Sequence, residues 1–227
     1  MAAPTLDRDR TGAKSLRGIA LLFLLTAIAF FAMIMNPLTF GYFDAESEAD
    51  RLAHVEDHLG ALRLLFTGIG ITEVALGVAL WLWGRRVAEH TPGRRGDVAG
   101  AFGWVALVAG VVSLLTRLTA WIDDPEALAS DDLSASDIVF GVVAGSGFSL
   151  ALLVFGYLMI RGAMPIWLGV VWIICGVMFW LGILPLWFFV GALAFGIRGL
   201  IKFKAGATAL DRISASPQTE RTTNAPA

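Results

Sequence analysis

PIWLGVVWIICGVMFWLGILPLWFFVGALAFGIRGLIKF, residues 165–203, decides how many times this chain passes through an apolar medium. A single helical crossing of a ~30 Å hydrocarbon core takes about 20 residues, so this stretch is too long for one. Near its middle stands Gly182-Ile183-Leu184-Pro185. Proline has no backbone N–H to donate, and it pushes the residue before it out of the helical region. The break admits a tight hairpin, Ile166–Leu181 and Leu186–Phe203, or one kinked, partly re-entrant element that leaves the C-terminus outside. Flanking charge favours the hairpin. Arg161 precedes the stretch, while Arg198, Lys202 and Lys204 end or follow it. Both ends therefore belong on the cytoplasmic side, where Lys and Arg accumulate.

Four more apolar runs lie upstream. Gly18–Met35 is closed by the helix-stopping Asn36-Pro37, and Ala61–Trp83 ends at Gly84-Arg85-Arg86. Val98–Ile122 ends at Asp123-Asp124, and Ile138–Ile160 at Arg161-Gly162. Together they predict an all-α, six-helix transmembrane bundle with both termini cytoplasmic. A cytoplasmic tail, 1–17, would precede the membrane domain, 18–204, and a polar, disordered cytoplasmic tail, 205–227, would follow it. Composition agrees, with 57% apolar and 16% charged residues, against a soluble norm of about 45–50% and 25%. The net charge of −2 hides two separated fields. On this topology fourteen of the seventeen Lys and Arg lie inside, and twelve of the nineteen Asp and Glu outside.

The first run, behind Arg8, Arg10, Lys14 and Arg17, exceeds a signal-peptide core and lacks a small-residue cleavage site. Trp81, Trp83 and Trp167 fall at the inner boundary, and Trp121, Trp180 and Trp187 at the outer one, the zone indole rings favour. Trp104 and Trp172 lie deeper and read as packing residues. Leu52, Val55, Leu59 and Leu62 recur at helical spacing, so the second span begins outside as an amphipathic helix near Ser47 or Asp50.

Three ionisable residues fall within the runs: Arg63, Glu73 and Arg117. Each costs about 2.5–3.5 kcal/mol near a helix centre on insertion scales. Arg63 is near enough to the outer end of its span to snorkel to the headgroups as an interfacial anchor. Glu73 is near the midplane, flanked by Gly70 and Gly77, and must be protonated, paired or wet. Side chains lean toward their own helix N-terminus, so Glu73 leans outward and Arg117 inward. Their axial offset is on the order of 10 Å, which two long side chains can close if the helices are neighbours. A Glu73–Arg117 pair is expected, as a structural staple or as part of a ligand site.

His54 and His58, four apart, share one helix face. Metal or haem ligation needs that spacing plus further ligands, and the HExxH pattern is not met because Val55 follows His54. A solvated helix face is the favoured expectation and metal binding the lesser one. His90 has no evident partner. Gly141, Gly145 and Ser149 recur in steps of four on the fourth span, a stripe suited to helix packing within the chain or to a homo-oligomer or partner membrane protein. Cys175 is the sole cysteine, which excludes an intrachain disulfide. No phosphate loop, nucleophile elbow or nucleic-acid-binding surface is present, and no cofactor is expected.

Several segments together resemble a family of uncharacterised bacterial six-span membrane proteins, a domain of unknown function. They are Leu16-Arg17-Gly18-Ile19-Ala20, the acidic helical lead into the second span, Leu62-Arg63-Leu64, Arg117-Leu118, and Met164-Pro165-Ile166-Trp167-Leu168-Gly169. The resemblance implies a six-span fold and a plasma (inner) membrane address, and carries no catalytic residues. The leading functional expectation is a non-enzymatic accessory or sensor protein that binds a lipid or small ligand. A small secondary transporter using Glu73 is the alternative, and a metal- or haem-dependent membrane enzyme using the histidines the next.

Overall fold

The computed structural model describes residues 5–91, 93–120, 126, 129, 135–162, 164–181 and 186–202. Its described elements are all helical: α1 (Thr5–Ile34), α2 (Pro37–Phe43), α3 (Glu48–His90), α4 (Arg94–Ala120), α5 (Ala135–Arg161), α6 (Ile166–Trp180) and α7 (Leu186–Lys202). Four of them, α1, α3, α4 and α5, are long and apolar enough to cross a membrane. The expected last two crossings are apolar but shorter, at 15 and 17 residues. The Gly182–Pro185 break, Trp121, Asp123-Asp124 and the tail beyond Ala205 lie outside the described residues.

Local chemistry explains the helix ends. Asn36-Pro37 does stop α1, but it also starts α2, an element the sequence reading treats as loop. The Asn36 side chain accepts from Leu38 N at 3.0 Å, and proline sits in the first turn, where a missing N–H costs nothing. Thr39 Oγ1 donates to the carbonyl of Met33 at 2.9 Å and ties α2 back to the end of α1. Ser47 caps α3 by accepting from Asp50 N at 3.1 Å, with Glu48 and Asp50 complementing the helix dipole. At 43 residues, α3 is about 65 Å long, roughly twice a bilayer core. Its N-terminal third is the amphipathic lead expected from the sequence, and it bends at His58, where φ is −127° and ψ 17°.

The six long helices form a ring in chain order, α1–α3–α4–α5–α6–α7, and α7 returns to pack on α1. Buried aromatic rings fill the centre: Phe23 of α1, Trp83 of α3, Phe155 of α5, Trp172 of α6 and Phe195 of α7. Trp172 lies edge-on to Phe23 and Phe155, and its Nε1 donates to the carbonyl of Gly191 at 2.9 Å. A buried indole N–H is thus satisfied, as the cost of leaving it bare requires. Trp104 departs from the sequence reading. It is 56% exposed on the outside of α4, against Trp81, rather than in the core.

The closest packing is between α3 and α4. Gly70, Gly77 and Gly84 are spaced by seven on α3, and Gly96, Gly103 and Gly110 by seven on α4. A period of seven keeps one face turned toward a neighbour along a gently supercoiled pair. A Cβ on Gly77 would lie 2.7 Å from the Ala106 carbonyl oxygen, and one on Gly110 2.7 Å from that of Glu73. A Cβ on Gly84 would crowd the Ala99 carbonyl oxygen and the Cα of Gly103. Only glycine lets these two backbones approach so closely.

Candidate functional site

Glu73 stands on this close-packed seam. Its backbone carbonyl lies over Gly110, and its side chain reaches outward past Gly70 toward Arg117 of α4. Arg117 Nη2 donates to Oε1 at 2.8 Å and Arg117 Nε to Oε2 at 3.0 Å, a bidentate fork. Ser113 Oγ also donates to Oε2. Glu73 is 4% exposed, and the Arg117 side chain 18%. Paired, charge-assisted bonds of this geometry are about twice as strong as neutral ones. Ser113 is absent from the sequence reading, although its position four residues before Arg117 places both on one face of α4.

Arg63 does not join them. It lies seven residues before Gly70 on α3. Its Nε is enclosed and has no hydrogen-bond partner among the described residues. Desolvating a charged group's N–H without a partner is costly.

His54 and His58 do share a face, with ring centroids 4.8 Å apart. Each ring has one nitrogen committed to a carbonyl oxygen: His54 Nε2 to Leu38 on α2 at 2.9 Å, and His58 Nδ1 to His54 at 3.1 Å. Because a carbonyl only accepts, those nitrogens carry the protons in the neutral rings. Among the described residues no group of three His, Cys, Asp or Glu could hold a metal. Arg51, one turn before His54, lies 5.8 Å over the Tyr42 ring and donates to the Ala129 carbonyl at 3.2 Å. His54 and Arg51 fasten α2, and Arg51 also Ala129 of the α4–α5 connection, to the N-terminal part of α3.

The small-residue stripe of α5 is engaged inside the chain at two of its three positions. The Phe179 ring fills the space where a Gly145 side chain would be, and Ser149 is fully buried. Ser149 Oγ donates to the Gly176 carbonyl at 2.7 Å and accepts from Trp180 Nε1 at 2.6 Å. Gly141 has open space beside it. At the opposite end of α3, His90 Nδ1 donates to the Arg86 carbonyl at 2.9 Å. Partial desolvation raises the Glu89 carboxyl, but the bonds from Arg85 and Arg86 prevail and hold it below the ordinary value.

Among the described residues every element is helical and four helices are long and apolar enough to cross a membrane, which is compatible with a helical membrane protein. No known family model, curated relative or solved structure matches the chain.

Proposed function

We propose that this chain is a six-span protein of a bacterial inner membrane, with both termini cytoplasmic. In this reading it serves as a non-enzymatic accessory or sensor that binds an anionic lipid or small anion at the outer end of α3. The observation that carries the binding role is Arg63, whose Nε is enclosed with no hydrogen-bond partner among the described residues. Both oxygens of Glu73 are taken within the chain, which supports a staple more than a carrier site. The bond that each histidine makes to a carbonyl supports a structural part for the pair over haem or metal chemistry.

The six-span count rests on α6 and α7 acting as a hairpin. α6 packs along α5 through Gly156, Gly169 and Gly176, and α7 along α1 through Gly196. Helices of 15 and 17 residues are short for a crossing, and the bilayer thins locally to meet such elements. Reporter fusions after Arg95 and after Lys204 are expected to read cytoplasmic, and fusions at Glu48 and Ala129 external. An external C-terminus would remove the hairpin and with it the sixth span.

The binding role is tested with the purified protein and phosphatidylglycerol. A ligand at a hundred times its Kd stabilises by about 2.7 kcal/mol, a readable rise in melting temperature. Wild type is expected to show that rise and to retain bound phosphatidylglycerol in native mass spectra. Arg63→Gln should lose both while melting normally in detergent alone. Equal lipid retention by wild type and Arg63→Gln would make Arg63 an anchor only.

A further inference from the structure

The exposed side of α1 is a regular apolar stripe, Leu21 43% exposed, Leu25 54% and Ile28 52%, with Ala32 also exposed, and Met35 just past its end is 57% exposed. Steps of four and three keep these positions on one helical face. The stripe does not end with α1. On α2, Phe40 and Phe43 are each 54% exposed, while Thr39 before them and Tyr42 between them are buried against the bundle. From Met35 to Phe43 the chain has no charged residue, and the acidic run begins abruptly with Asp44, Glu46, Glu48 and Asp50. A short helix standing in water would turn polar groups outward; this one turns two phenyl rings outward.

We infer that α2 is an interfacial foot that rests in the outer leaflet, with Phe40 and Phe43 inserted among the lipid chains just below the headgroups. Continuity with the α1 stripe argues for lipid as the occupant, because exposed apolar side chains recur from Leu21 to Phe43 with no charged residue among them. The apolar-to-acidic boundary at Phe43–Asp44 then marks the membrane surface. Aromatic side chains favour that depth, and an amphipathic helix there buries its apolar face at the acyl boundary.

The foot is held rigidly. Thr39 binds the Met33 carbonyl, His54 binds that of Leu38, and Tyr42 packs edge-on to Phe66 with Arg51 above it. A displacement of α2 by the membrane is therefore passed to the outer part of α3, where it bends at His58.

Spin-label accessibility tests the inference in vesicles of phosphatidylethanolamine and phosphatidylglycerol. Cys175 is the sole cysteine and is replaced by Ala to give a background without thiols. Labels are then introduced as Phe40→Cys and Phe43→Cys, with Leu25→Cys as the lipid reference and Glu56→Cys as the aqueous reference. Monodisperse elution identifies folded variants, and Met35→Cys carries the test if either phenylalanine variant fails. Collision with oxygen should exceed collision with a water-soluble nickel chelate at 40 and 43, as at 25, with the reverse at 56. Chelate in excess at 40 and 43 would put α2 in water and overturn the inference. Low access to both reagents would mean that protein, a partner or a second copy, covers the face, and would overturn it equally.

Discussion

Replacing Arg117 by Leu is expected to destabilise the folded protein by about 3–5 kcal/mol, the usual cost of breaking one buried ion pair from one side. The Glu73 carboxylate would be left on the α3–α4 seam with only Ser113 to bind it, too deep to reach water. Glu73→Leu should cost less, because Arg117 stands nearer the outer end and its long side chain can extend toward the headgroups. Glu73→Lys should be the worst of the set, since it brings two cations together in a dry place. The double variant Glu73→Leu with Arg117→Leu should recover most of the loss, because apolar replacement of both partners removes the desolvation cost as well as the attraction. Ser113→Ala is worth less than these, about 0.6 kcal/mol, the mean of measured hydrogen bonds between membrane helices. Unfolding in mixed micelles supplies the cycle. Additive losses from the two single changes would show that the side chains act in separate places. Recovered stability with a lost cellular phenotype would show that the pair also takes part in function.

The second large effect is expected from the glycine seam. Gly77→Val and Gly110→Val would each push carbon against a backbone carbonyl, at 2.7 Å for the first added atom. Overpacked cores lose about 1–3 kcal/mol even where side chains can yield. Backbone yields less, so α3 and α4 must separate, which also stretches the Glu73–Arg117 fork. These variants should therefore lose at least that amount, and Gly77→Ala a smaller amount in the same direction. Gly18→Ala and Gly60→Ala are the controls, because nothing lies within 4 Å of a Cβ at either position. There the better helix propensity of alanine should leave stability equal or slightly raised. If all four alanine and valine positions behaved alike, helix propensity and not close approach would govern the seam.

Much of this arrangement can be read from residue order, and the reason lies in the solvent. Lipid demands long apolar helices with satisfied backbones, so Val98–Ile122 and Ile138–Ile160 match α4 and α5 to within a few residues, while Gly18–Met35 and Ala61–Trp83 mark only the apolar parts of the longer α1 and α3. The meeting of Glu73 with Arg117 follows from depth and from the direction of the Cα–Cβ bond, both fixed by position along a helix. What escapes depends on three-dimensional neighbours. Asn36-Pro37 reads as a stop, and nothing local says that the same pair caps a new helix. Trp104 looks central by depth, yet depth carries no information on which side of α4 faces lipid. Gly70 and Gly77 stand out only as bulk-free flanks of Glu73. Their extension to Gly84, and the matching series Gly96, Gly103 and Gly110, is visible once a period of seven is sought. The commitments of His54 and Ser113 rest on partners in other helices, Leu38 and Glu73, which no spacing within one helix reveals.

The ring has one seam that joins helices far apart in the chain. Every other neighbouring pair is made in succession, so each helix that leaves the ribosome finds its partner already in place. The flank of α1 that carries Phe23 and Phe30 has to wait for the last helix. It meets Phe195 and Phe189 only when α7 arrives, with Phe30 stacked on Phe189 at 3.6 Å between centroids. A chain halted before Leu186 would therefore be an open row of helices, its first member still bare on one side. Among the described helices the ring is closed by the 17 residues of α7, and the α1 flank it covers is enclosed after the other seams have formed.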